Sequence, residues 1–165
     1  MINNTHAAQY IPPTRFHCVT GTWTEAAGQV AGTICRHKAA SAETTTVTIP
    51  IEVPSNSIAL QGAKLTSVEV DFEILVADCT SITTTLNKVT RGVDTAVAVV
   101  AAVTQTQSPA AATLKVTDQR KLVVTLTTPE WVNQNTYYLL QLSLVCPATT
   151  QLDMLAAVAN FTFRM

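Results

Sequence analysis

The chain is predicted to be all-β: an antiparallel β-sandwich, jelly-roll-like, with about eight strands. Three observations carry that expectation. Residues 65–76 (LTSVEVDFEILV) set Val68, Val70, Phe72, Ile74 and Val76 against Ser67, Glu69, Asp71 and Glu73. A strict two-residue period of this length belongs to a half-buried strand, whose successive side chains point to opposite faces. The composition agrees: 28 threonines and 19 valines, both β-branched, suit a pleated surface. No segment with helical period competes with these runs.

The 165 residues suit one domain with a core large enough to need no staples. Residues 1–13 are a polar stretch ending in Ile-Pro-Pro, read as an extended N-terminal arm, and residues 14–165 as a single β-sandwich domain. Residues 15–20 (RFHCVT) are a first strand. Gly21, Gly28 and Gly32 punctuate a loop-rich region that Trp23 anchors at the core edge, and residues 34–37 form a short strand. In 44–53 (TTTVTIPIEV), Val47, Ile49, Ile51 and Val53 face inward. Pro50 removes a ladder donor and pushes that strand to an edge or bulge. Pro54-Ser-Asn is a turn, and 57–60 a brief strand or connection.

After the long strand, a compact connection at 77–80 leads into 81–90, and the two runs are expected to form a β-hairpin. Residues 91–94 turn, with Gly92 free to take positive φ. Residues 95–106 read as strand because Val97, Val99, Val100 and Val103 outweigh the alanines. Ser108-Pro109 opens a break with one helical turn. Residues 121–127, 137–145 and 155–163 complete the strands, the second of them central because both of its registers are largely apolar.

Several function classes are disfavoured. Charged residues make up 13%, about half the usual ~25%, so Thr, Ser, Gln and Ala cover much of the exterior. Such a surface is easily desolvated and suits packing against copies of itself or another protein. Five Lys and five Arg are scattered, without the basic stripe of a nucleic-acid binder. The triplet Arg36-His37-Lys38 reads as a solvated loop. No secretory signal and no apolar stretch long enough to span a bilayer appear, so the expected site of synthesis is a host cytoplasm, with no membrane partner. The four cysteines are too widely spaced for metal or redox motifs and are expected to be reduced, Cys18 and Cys146 as small buried hydrophobes. A Cys18–Cys35 disulfide is the pairing considered.

Candidate sites are few. Glu69, Asp71 and Glu73 line one strand face, alternate residues lying roughly 7 Å apart, which overlaps the spacing of an inverting glycosidase pair. Solvated acidic gatekeepers are the plainer account. His6, His17 and His37 have no HxH or HExxH spacing, so no metal is expected, and no cofactor either. No GxSxG or phosphate-cradling glycine pattern occurs, and no catalytic residue is assigned. Trp131, in a loop after Pro129-Glu130, is the candidate ligand-binding aromatic.

The order of segments from Gly-Ala-Lys-Leu-Thr-Ser-Val-Glu-Val-Asp-Phe-Glu (62–73) through Thr-Thr-Thr-Leu-Asn-Lys-Val-Thr (83–90), Val-Thr-Leu-Thr-Thr-Pro-Glu-Trp (124–131), Tyr-Tyr-Leu-Leu-Gln-Leu (137–142) and Ala-Val-Ala-Asn-Phe-Thr (157–162) resembles small β-sandwich virion structural proteins of tailed phages. The resemblance implies a non-catalytic protein of the virion that self-assembles, as a homotrimer or higher symmetric oligomer, and decorates or cements a major capsid protein. It maps no functional positions. Tyr10, Ile11, Pro12, Pro13, Thr83 and Thr85 are the expected subunit contacts. The alternative is a carbohydrate- or receptor-binding β-sandwich module of a tail fibre, for which Trp131 is the residue to test.

Overall fold

A computed structural model describes residues 4–28, 31–53, 63–92, 98–132 and 135–164. The turn expected at Pro54, the segment 57–60, Gly62, Val93, Asp94 and Val97 lie outside the described residues. The strands are β1 (Asn4–Ile11), β2 (His17–Thr20), β3 (Trp23–Ala27), β4 (Ile34–Lys38), β5 (Glu43–Glu52), β6 (Ala63–Leu75), β7 (Ser81–Thr90), β8 (Val99–Ala102), β9 (Gln105–Ser108), β10 (Asp118–Leu126), β11 (Thr136–Cys146) and β12 (Gln151–Arg164). A 3-10 turn (Pro13–Arg15) follows β1, and the single helical turn α1 spans Ala111–Leu114. No helix among the described residues is long and apolar enough to cross a membrane.

Among the described residues the strands form two antiparallel sheets. The larger runs β3-β4-β12-β6-β10-β9, with β1 also on β12; the smaller runs β2-β5-β11-β7-β8. The framework is β4-β12-β6-β10 against β5-β11-β7-β8, in which every step along the chain changes sheets except β7 to β8, which pair within the smaller sheet. That is the two-sheet arrangement of an eight-stranded jelly roll, extended by β2, β3 and β9 at sheet edges and by β1 along β12.

The core sits between the sheets. Val68, Val70, Phe72 and Ile74 of β6, Leu140, Leu142 and Leu144 of β11, and Ala157, Ala159 and Phe161 of β12 are buried as their alternation dictates. The strand β11 is central in its sheet, as expected from its apolar registers. Pro50 lies on a stretch of β5 that β2 does not reach, since β2 pairs only Thr46, Val47 and Thr48. There the missing donor costs no ladder bond.

Four expectations are corrected. Residues 65–76 and 81–90 are not a hairpin: β6 pairs β12 and β10, whereas β7 pairs β11 and β8. The connection between them is a corner that carries the chain from one sheet to the other. Val76 does not continue the inward register. The strand ends at Leu75, and Val76 takes φ +71° and is 70% exposed where the corner begins. Where one strand is expected over 95–106, residues 99–108 hold two short ones, β8 in the smaller sheet and β9 in the larger. Finally, Arg36-His37-Lys38 is part of β4, not a solvated loop, and Lys38 is fully buried. Its ammonium donates to the carbonyls of Ala39 (2.9 Å) and Ser41 (3.2 Å), and lies 3.3 Å from the Glu43 carboxylate.

Within the stretch expected as an arm, residues 4–11 form β1, laid along β12 of the larger sheet from Asn4↔Arg164 to Ile11↔Ala157. Trp23 opens β3 rather than a loop. It anchors that end of the sheet through its indole N–H, which donates to Thr20 O (2.8 Å) and Thr45 Oγ1 (2.9 Å).

Candidate functional site

The acidic residues of β6 point away from the core on the outer face of the larger sheet, and pairing lays neighbours beside them in rows. One row runs His37, Asp153, Glu73, Gln119 across β4, β12, β6 and β10. The next runs Ala156, Asp71, Lys121, and the next Val158, Glu69, Val123, with Tyr10 of β1 beside Val158.

A groove opens in this face because two strands share one edge of β12. β4 pairs Leu152, Asp153 and Met154, and β1 takes over from Ala157 onward. Between them β12 carries a bulge at Leu155, and its neighbour β6 is held in register on the far side. The resulting groove has a volume of about 560 Å³. Leu155, Ala156 and Asp71 lie in it with Gln119 and Lys121; Tyr10, residues 12–14, Gly28 and residues 32–34 supply the rest. Tyr10 is 61% exposed, unusual for an aromatic ring unless its face has a use.

The polar groups are held in place. Lys121 Nζ donates to Glu69 Oε2 (2.9 Å), and Asn160 Nδ2 donates to Glu69 Oε1 (3.2 Å) and Ser67 Oγ (3.1 Å). The hydrogen bond from Lys121 keeps the Glu69 carboxyl below its ordinary value, and the same bond, with the charge of Asp71, lifts Lys121. His37 Nδ1 and Asp153 Oδ1 lie 2.6 Å apart at the β4 end of the face. A glycosidase acid must hold its proton near neutrality; Glu69 is displaced the other way. Among the described residues no three of His, Cys, Asp and Glu are grouped to hold a metal ion.

The residues singled out from sequence do not converge. Tyr10, Pro12 and the buried Pro13 line the groove, while Ile11 is buried within the chain's own core. Thr83 and Thr85 are exposed on the outer face of the smaller sheet. Trp131 is half-buried, with the Lys64 ammonium 5.2 Å from its ring centroid. Lys64 is seven strand residues, roughly 23 Å, from Asp71, so Trp131 and Tyr10 serve different regions. Gln119, Lys121, Asn160 and the His37–Asp153 pair were not singled out. Each is a polar residue on an outward strand position, but the pairing that gathers them joins residues as much as 116 positions apart.

No family model matches the chain, and no curated protein is similar to it. Among solved structures, the chain is similar to the CBM22-1 xylan-binding domain from Paenibacillus barcinonensis Xyn10C, with 14% identity, 90% of this chain and 86% of that one covered, and a TM-score of 0.49. It is also similar to the arabinose-bound MgGH51 α-L-arabinofuranosidase, at 8% identity and a TM-score of 0.44 over 89% of this chain and 23% of that one. At these values neither likeness brings a ligand or an activity to this chain.

Proposed function

We propose that the protein is a non-catalytic binding module that takes a saccharide chain along the groove of its larger sheet. One observation carries this reading: an exposed tyrosine ring stands beside a polar strip made of Asp71, Gln119 and Lys121. A sugar ring has apolar C–H faces and a rim of hydroxyls. An aromatic face takes the first, and carboxylate, amide and ammonium groups take the second. These side chains project from paired strands, so little ordering is left to be done on binding. The low-set Glu69 carboxyl and its two donors favour a role in positioning Lys121 over one in acid catalysis.

Self-association in a virion, the expectation from the sequence resemblance, shares the β-sandwich with this reading. It rests on the order of strand segments and on surface composition, neither of which marks a site, whereas the groove is a shaped one, and the binding module therefore ranks first.

The test is titration calorimetry with a panel of soluble neutral glycans, using wild type, Tyr10→Ala and Asp71→Ala. Binding of one glycan class by wild type, weakened roughly tenfold or more by Tyr10→Ala, is the expected result. Absence of binding across the panel, or equal affinity in all three proteins, would overturn the proposal.

A further inference from the structure

Cys18–Cys35 is the pairing the sequence suggests, yet the fold brings a different pair together. Cys79, in the corner between β6 and β7, and Cys146, the last residue of β11, place their sulfurs 3.8 Å apart. They are 2% and 3% exposed and 67 positions apart in the chain. The surroundings hold both backbones firmly. Cys79 N donates to Lys115 O (2.8 Å), and Thr80 N donates to Val145 O (2.8 Å), one residue before Cys146. Thr150 Oγ1 donates to Asp78 O at 3.4 Å. The other two cysteines are placed differently: Cys18 is in β2 of the smaller sheet and Cys35 in β4 of the larger.

We propose that Cys79 and Cys146 are an oxidation site, closing on exposure to a peroxide into a disulfide that staples the β6–β7 corner to the end of β11. A small shift brings sulfurs already in contact to the bonding distance of about 2.05 Å. The proximity also separates the two thiols chemically. The contact between the two sulfurs, in which either can donate, pulls the Cys146 thiol down, with Lys38 acting in the same direction, while that contact and burial push Cys79 up. Cys146 is therefore the nucleophile and Cys79 the resolving thiol.

The reaction balances with hydrogen peroxide as oxidant. The Cys146 thiolate attacks one peroxide oxygen, the O–O bond breaks, and a sulfenic acid and hydroxide form. The Cys79 sulfur then attacks the sulfenic sulfur, making the S–S bond. The sulfenic oxygen leaves with the Cys79 proton as water. Two thiols lose two electrons in all, peroxide gains them, and two waters result. Peroxide is small enough to reach the buried pair during local opening of the corner.

The experiment exposes the purified chain to graded hydrogen peroxide, then applies intact mass, a peptide map without reduction, and a thermal melt. The expected product has lost two hydrogens and yields a crosslinked Cys79–Cys146 peptide. Closing so long a loop should raise Tm on the order of 10 °C, reversed by dithiothreitol. A Cys18→Ser/Cys35→Ala variant should react identically, and it keeps the test sound if Cys79→Ser folds poorly. Sulfinic acids without a crosslink, a crosslink through Cys18 or Cys35, or an oxidised form that melts lower than the reduced one would each overturn the proposal.

Discussion

Replacing Lys38 by Met tests whether a buried ammonium organises one end of the sandwich. Methionine has nearly the same length and an apolar body, so the substitution removes charge and donors with little change of volume. What it leaves behind are the carbonyls of Ala39, Ser41 and Thr150, which now accept from Lys38 at 2.9, 3.2 and 3.5 Å, and the Glu43 carboxylate at 3.3 Å. Breaking a fully buried pair costs about 3–5 kcal/mol. The Glu43 side chain keeps a quarter of its exposure and the hydroxyl of Ser41, so water and that hydroxyl recover part of the loss. A cost of about 3 kcal/mol follows, which for a domain of this size lowers Tm by roughly 6–12 °C. Circular dichroism melts at neutral pH measure it, and a Lys38→Met/Glu43→Gln double variant gives the coupling. The acid limb supplies a second readout. Glu43 is held below its ordinary value first by Ser41, then by Thr22 N and Lys38. Its contribution is therefore present above the unfolded carboxyl value, near 4.3, and is lost as pH falls through the lower folded value. The variant should show a shallower acid limb, because Ser41 and Thr22 remain. A Tm within about 1 °C of wild type would refute the reasoning, since it would mean that the carbonyls do not need the ammonium.

Three further outcomes are expected. Gly21→Ala should lower the urea midpoint by an amount equivalent to about 1–3 kcal/mol, because Gly21 holds φ +99° and an added Cβ would stand 2.6 Å from Thr45 Oγ1; an unchanged midpoint would show that Thr45 gives way freely. Val76→Gly should raise Tm by about 2–4 °C, since a β-branched residue at φ +71° carries a penalty that glycine lacks, and a lower Tm would show that the exposed valine contributes packing. Light scattering over a wide concentration range should give a monomer if the groove is the working surface; a trimer at all concentrations would favour assembly through the outer faces.

What the sequence discloses, and what it hides, divides along a physical line. Alternation reports which face of a strand is buried, so the inward set of β5, and that of β6 as far as Ile74, are legible residue by residue. Strand partnership leaves no such mark. Residues 65–76 and 81–90 look like a hairpin because they are adjacent, yet the five residues 76–80 suffice to turn a corner between sheets. Lys38 reads as solvated because lysine is rarely buried; most of its partners are backbone carbonyls, which every residue has. The groove was the least legible feature, since it arises from a bulge at Leu155 and from two strands sharing one edge. The acidic row was visible, but Tyr10 and Lys121 join it only through pairings with β12 and β6.

The position of β12 has a consequence for how the protein is made. This strand lies between β6 on one side and both β4 and β1 on the other, although it is the last of the twelve to be synthesised. Residues 4–11 find their partners only at 157–164, so the larger sheet cannot close until a ribosome has released nearly all of the sandwich. The smaller sheet is under no such delay beyond β11. Its strands β5, β7 and β11 can meet while β12 is still in the exit tunnel. A folding order with the smaller sheet first and the zipping of β12 between waiting edges last is therefore written into the topology, and it places this chain with slow folders dominated by distant pairings. During that interval the inner face of β6 and the free edges of β1 and β4 are uncovered, and crowded synthesis carries its greatest risk of aggregation then.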